Sequence, residues 1–160
     1  MLNIAVRLLE VDEVIVLFKV RVIFKQYIPK KHKQCGIKLY KLCNSKGYIY
    51  NMTVYLGKDR KHVTPSMTAT HATVTGLAAR SGHVGPKLYM GNFFSSPASL
   101  DDLHTKTISC CGTVRPNRKW MPKNFGQKMK MKSGDLKTKV KGNLTATVWK
   151  DKQNVNILMN

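Results

Sequence analysis

The chain has 160 residues, 42% of them hydrophobic, enough for one domain with a core of its own, which excludes a disordered polyelectrolyte. It carries 28 Lys and Arg against 8 Asp and Glu, a formal net charge of +20. A phosphate backbone suits such a surface better than an anionic membrane or an acidic protein does; the alternative is a solubilising surface, although those tend to mix both signs. The apolar run Val14–Phe18 is far too short to span a bilayer, and the N-terminal residues do not read as a secretory signal. Cys35, Cys43, Cys110 and Cys111 lack metal-ligand spacing and read as free thiols in a reducing compartment.

In chain order, Val11–Phe18 is rich in β-branched residues and reads as a strand, with Asp12 and Glu13 near its start. Gly36–Cys43 and Tyr48–Leu56 flank Asn44-Ser45-Lys46-Gly47, the pattern of a hairpin that Gly57–Lys61 closes. Ala69–Arg80, dense in Thr and Ala, reads as a weak helix with Gly82 near its end. Lys87–Met90 is a short strand, followed by Gly91-Asn92-Phe93-Phe94. Ser95-Ser96-Pro97 opens a second helix over Ala98–Thr105, where Asp101 and Asp102 are expected to complement the helix dipole.

Thr107–Val114 reads as a buried strand. Residues 115–141 then carry many lysines and arginines against Asp135 alone, either a solvated basic appendage or part of a nucleic-acid track. Asn143–Trp149 and Val155–Met159 read as a hairpin. Strands alternating with helical stretches make an α/β domain. Phe93 and Phe94 are expected as core anchors, and Trp120 and Trp149 as packed residues. His32, His62, His71, His83 and His104 are scattered and expected in solvated or loop positions.

Asp12 on an early strand raises the question of a carboxylate partner. Strand-transfer enzymes use two or three carboxylates to hold two Mg²⁺ ions about 3.5–4 Å apart, which activate the attacking oxygen and stabilise the leaving one. The strand end after Met90 offers Gly91 instead. Glu13 alternates to the other strand face from Asp12, and Asp59 follows the hairpin in a loop, so neither replaces the missing acid.

Three blocks resemble piggyBac-type transposases: Phe24–Asp59, Tyr89–Pro97 (YMGNFFSSP) and Cys111–Lys119 (CGTVRPNRK). Their order and spacing agree with that family, whose second block reads Y-M-D-N-F-F-T/S-S-P. The resemblance implies a partial RNase H-like (DDE transposase) domain over 1–119 with a basic, β-rich, insertion-like appendage over 120–160. It implies that Asp12 is a vestigial first catalytic aspartate and that Gly91 occupies the position of the second. The third aspartate, and the rest of the catalytic fold, would lie downstream of Asn160, with the family's N-terminal parts before Met1. Val20 stands where the family has Gly, with strain expected if that turn needs positive φ.

The family's cofactor is Mg²⁺; with the ligand set incomplete, no cofactor is expected here. The chain is therefore expected to be a nuclear, catalytically inactive transposase remnant with nonspecific DNA binding. The alternative is a domesticated, non-enzymatic DNA- or chromatin-binding protein. Loop lysines and arginines, namely Lys30, Lys31, Lys33, Arg115, Arg118 and Lys119, are the candidate phosphate contacts. No membrane partner is expected, and the sequence does not fix an oligomeric state.

Overall fold

Residues 8–29, 32–57, 67–79, 87–126 and 129–160 are described by the structure, a computed structural model. The chain divides into two compact units, Glu10–Gly82 and Met1–Leu9 with His83–Asn160.

In the Glu10–Gly82 unit, β1 (Leu8–Leu17) alternates, so that Val11 and Ile15 are buried while Asp12 and Val16 are exposed. It lies beside β3 (Cys35–Asn44), and at Gly36 a Cβ would come within 2.1 Å of the Val16 carbonyl oxygen. Only glycine fits there. The expected hairpin forms between β3 and β4 (Ile49–Val54), antiparallel with Leu39 opposite Val54 and Tyr40 opposite Thr53. Asn44 builds its turn, its side-chain oxygen accepting from the Lys46 and Tyr48 amides at 3.0 Å each, while Gly47 supplies a φ of +81°. A two-residue strand, β2 (Gln26–Tyr27), also pairs with β3 and has no counterpart in the sequence reading.

The weak helix is α1 (Ala69–Ala78), capped by Thr68, whose hydroxyl accepts from the His71 amide. The Asn51 side chain on β4 donates to the Gly76 and Leu77 carbonyls at 3.3 and 3.1 Å, satisfying groups that the last helical turn leaves open. His71, expected in a solvated position, is buried on this helix. Val20 does not have positive φ, so the strain expected of it does not arise. Lys58–Lys61, His62 and Arg80–His83 lie outside the described residues.

The other unit contains a sheet in the order β5-β6-β9-β8-β7. Strand β5 (Lys87–Met90) is parallel to β6 (Ser109–Thr113), the crossover being α2 (Pro97–Thr105). Ser96 caps α2 in a reciprocal box with Ser99. Asp101 and Asp102 were expected at this N-terminus, but no acid occupies the first turn. Asp102 instead pairs with Lys106 at 2.7 Å one turn later, because Ser96 and Ser99 already serve the first amides.

The terminal hairpin is β8 (Leu144–Lys150) with β9 (Asn154–Met159), and β9 pairs antiparallel with β6, Gly112 opposite Leu158. The segment expected as an appendage thus continues the sheet, burying Ala146, Val148 and Leu158 with Leu100 and Leu103. Strand β7 (Leu136–Lys141), unexpected in the basic stretch, is exposed along its length and pairs with β8. Its lysines alternate with Leu136, Thr138 and Val140, a common guard on an edge strand.

Candidate functional site

Asp12 stands exposed on β1. Glu13, on the other strand face, is held by Lys38 at 2.5 Å and is therefore engaged in an ion pair. Lys38 also lies over the Tyr40 ring at 5.1 Å. Burial, reinforced by Tyr55 and then Glu13, pushes the Tyr40 hydroxyl up to about 12.

Gly91 begins the turn between β5 and α2. Its carbonyl accepts from the Phe94 amide at 3.1 Å, and from the Ser95 amide and hydroxyl at 3.2 Å each. A Cβ at Gly91 would meet nothing within 4 Å, and its φ is not in the left-handed region. Neither space nor backbone demands glycine here, so what the position lacks relative to an aspartate is the carboxylate itself. Gly112 on β6 is the opposite case, since its Cβ would stand 2.3 Å from the Met90 carbonyl oxygen and 2.5 Å from the Ser95 hydroxyl.

The turn is braced from the β6 exit. Arg118 donates from one guanidinium nitrogen to the Asn92 and Phe93 carbonyls at 3.3 and 2.5 Å. Burial, then the neighbouring Arg115, lowers its pKa from the ordinary arginine value. Phe94 is buried beneath this turn, edge-on to the half-buried Phe93 with ring centroids 5.1 Å apart, as expected of core anchors.

The phosphate-contact candidates are thus unequal. Arg115 and Lys119 are exposed on the same short loop as Arg118, one of whose guanidinium nitrogens donates to backbone. Lys33 is exposed just before β3, and Lys30 and Lys31 lie outside the described residues. Trp120, expected to be packed, is 68% exposed, with a φ of +72° that costs a bulky residue on the order of 1–2 kcal/mol. The Lys119 ammonium sits 5.1 Å from its ring centre. Trp149 is exposed as well, at 41%. Sequence reasoning missed both the Arg118 brace and the outward Trp120. Pro116 and Pro122 flank this loop, but no local pattern signals a tryptophan at positive φ.

Cys43 and Cys110 are buried, Cys111 is half-buried, and all four cysteines are free. Burial raises the Cys110 thiol to about 12, against a hydrogen bond from Asn160 that lowers it. Among the described residues no group of three His, Cys, Asp or Glu side chains is gathered to hold a metal ion. Asp12 with a glycine at position 91 does not fit the two-cation arrangement that the resemblance implies, because hard cations demand several oxygen ligands. Among the described residues no helix is long and apolar enough to cross a membrane.

A family model described as Transposase IS4 matches residues 6–160. The fold is similar to that of a piggyBac transposase solved by cryo-EM as a synaptic complex with hairpin DNA, with a TM-score of 0.83 and 26% identity. The match covers 94% of this chain and 32% of that one, so the chain spans about a third of the piggyBac protein's length. Its mixed α/β architecture matches part of the piggyBac transposase fold. Taken with the intact turn around Gly91, these matches show that the chain belongs to the Transposase IS4 family and is of the piggyBac type.

Proposed function

We propose that this chain is a catalytically inactive, transposase-derived nuclear protein whose remaining activity is nonspecific DNA binding. The observation that supports the first part is Gly91: where the resemblance implies an aspartate, a turn with a Ser96 cap and an Arg118 brace carries no carboxylate. Removing an essential ligand typically costs several kcal/mol of transition-state stabilisation, and each ~1.4 kcal/mol is a factor of ten in rate. DNA binding is supported by the net charge of +20, by the exposed Lys33, Arg115 and Lys119, and by the hairpin DNA in the similar piggyBac complex.

A cleavage assay on transposon-end DNA with Mg²⁺ or Mn²⁺ tests inactivity. No turnover is expected, and turnover that disappears in Asp12→Ala would overturn the proposal. For binding, a salt titration on duplex DNA is expected to show affinity falling steeply as salt rises, through counterion release. A flat dependence would remove the phosphate contacts from the reading. Exclusion of a tagged chain from the nucleus would count against the localisation.

A further inference from the structure

Along the β7–β8 pair a groove of about 560 Å³ opens beside Trp120. Leu144, Ala146 and Leu158 form its apolar floor. Lys123, Lys139 and Lys141 stand along it, and the exposed Trp120 supplies its aromatic wall. A second hollow shares Pro97, Trp120, Lys141 and Leu144 with the groove and is lined in addition by Asp101, Gly142 and Asn143. A tryptophan held outward at positive φ, next to lysines and an apolar floor, has no role in the core of this unit. Such a backbone conformation persists only where the surroundings enforce it, and it marks candidate ligand sites.

We propose that this groove is a subsite for one unpaired nucleotide of a single strand: the base stacks on Trp120 over the apolar floor, and the adjoining phosphates pair with Lys123 and Lys139. The inference rests on the DNA-binding reading above and specifies which form of nucleic acid this face takes. Charge complementarity selects the occupant, because three lysines beside an aromatic ring suit a ligand that is both planar and anionic. Asp101 lines the second hollow and disfavours phosphate there. A paired base in a duplex keeps its faces covered by its neighbours and cannot lie on the ring. A free mononucleotide has the same chemistry but only one phosphate to reach the separate lysines.

The test is fluorescence titration of the full chain in a Trp149→Phe background, which leaves Trp120 as its one tryptophan. Oligo(dT) is expected to quench Trp120, whereas a duplex of equal length and dTMP quench it little. By anisotropy with labelled oligo(dT), Trp120→Ala is expected to weaken binding roughly 5- to 150-fold, the range for loss of one stacked base. Trp120→Phe restores most of that loss, and duplex affinity is unchanged in both variants. Because Trp120 is exposed, thermal melts of these variants are expected to match the parent. Lys123→Gln with Lys139→Gln should weaken oligo(dT) binding and lower its salt dependence.

Unchanged oligo(dT) affinity in Trp120→Ala, an equal loss on duplex, or dTMP binding as tightly as the strand would each overturn the subsite. If duplex binding remains salt-dependent in those cases, the DNA-binding reading stands and only the subsite falls. If neither strand nor duplex binds, both fall.

Discussion

The guanidinium of Arg118 donates to the Phe93 carbonyl at 2.5 Å, tying the loop after β6 to the turn that follows Gly91. A residue that composition alone suggests for phosphate thereby donates to backbone. Arg118→Ala is expected to destabilise the fold by about 1–3 kcal/mol, the scale for hydrogen bonds to a charged group. Arg115→Ala and Lys119→Ala, both exposed, should change stability by less than about 0.5 kcal/mol while weakening duplex binding. Urea denaturation of the three variants, run beside a duplex titration, checks the contrast. Equal stabilities would show that the brace is not structural.

Gly91 and Gly112 should respond oppositely to substitution. Open space around Gly91 predicts that Gly91→Asp leaves the melting temperature nearly unchanged. Gly112→Ala must push a Cβ against the Met90 carbonyl and the Ser95 hydroxyl, and is expected to cost about 1–3 kcal/mol or more. Thermal melts of both variants provide the comparison. A large loss in Gly91→Asp would mean that the turn does need glycine.

Restoring that carboxylate should not restore chemistry. Gly91→Asp supplies one ligand, and the described residues gather no set of three. The expected result of a Mg²⁺- or Mn²⁺-dependent cleavage assay on this variant is therefore no product. Metal-dependent cleavage by Gly91→Asp would show that the remaining ligands are already present in this chain.

High pH should destabilise the protein through two buried acids. The Cys110 thiol is raised from 9.0 to about 12, and the Tyr40 hydroxyl from 10.0 to about 12, chiefly by burial. In the unfolded chain both groups release protons sooner, so between their unfolded and folded values the native state binds more protons. Stability is then complete below about pH 9 and is lost as pH rises toward 12. Urea midpoints measured from pH 8 to 11 should fall, and Cys110→Ala should shallow the slope. A midpoint independent of pH would contradict this.

Much was legible in the sequence because it depends on short-range chemistry. Asn44 and Gly47 set the first hairpin, Ser96 and Pro97 start α2, and β-branched alternation gives β1. At Gly91 the resemblance implies an aspartate because the residues on both sides of it match the family pattern. What escaped depends on neighbours remote in sequence. Strand β7 forms because β8 supplies its hydrogen-bond partners, and Asp102 serves Lys106 because Ser96 and Ser99 already close the cap.

By itself the sequence determined the family, the α/β order of elements and the chain's strong positive charge. Only the tertiary structure decided that Arg118 braces a turn, that residues 136–159 extend the sheet of β5 and β6, and that Trp120 faces outward over a lysine-lined groove. The physical reason is common to all three. Local propensities fix which bonds a residue can make, whereas the carbonyl, strand edge or apolar floor that completes them arrives from segments far along the chain.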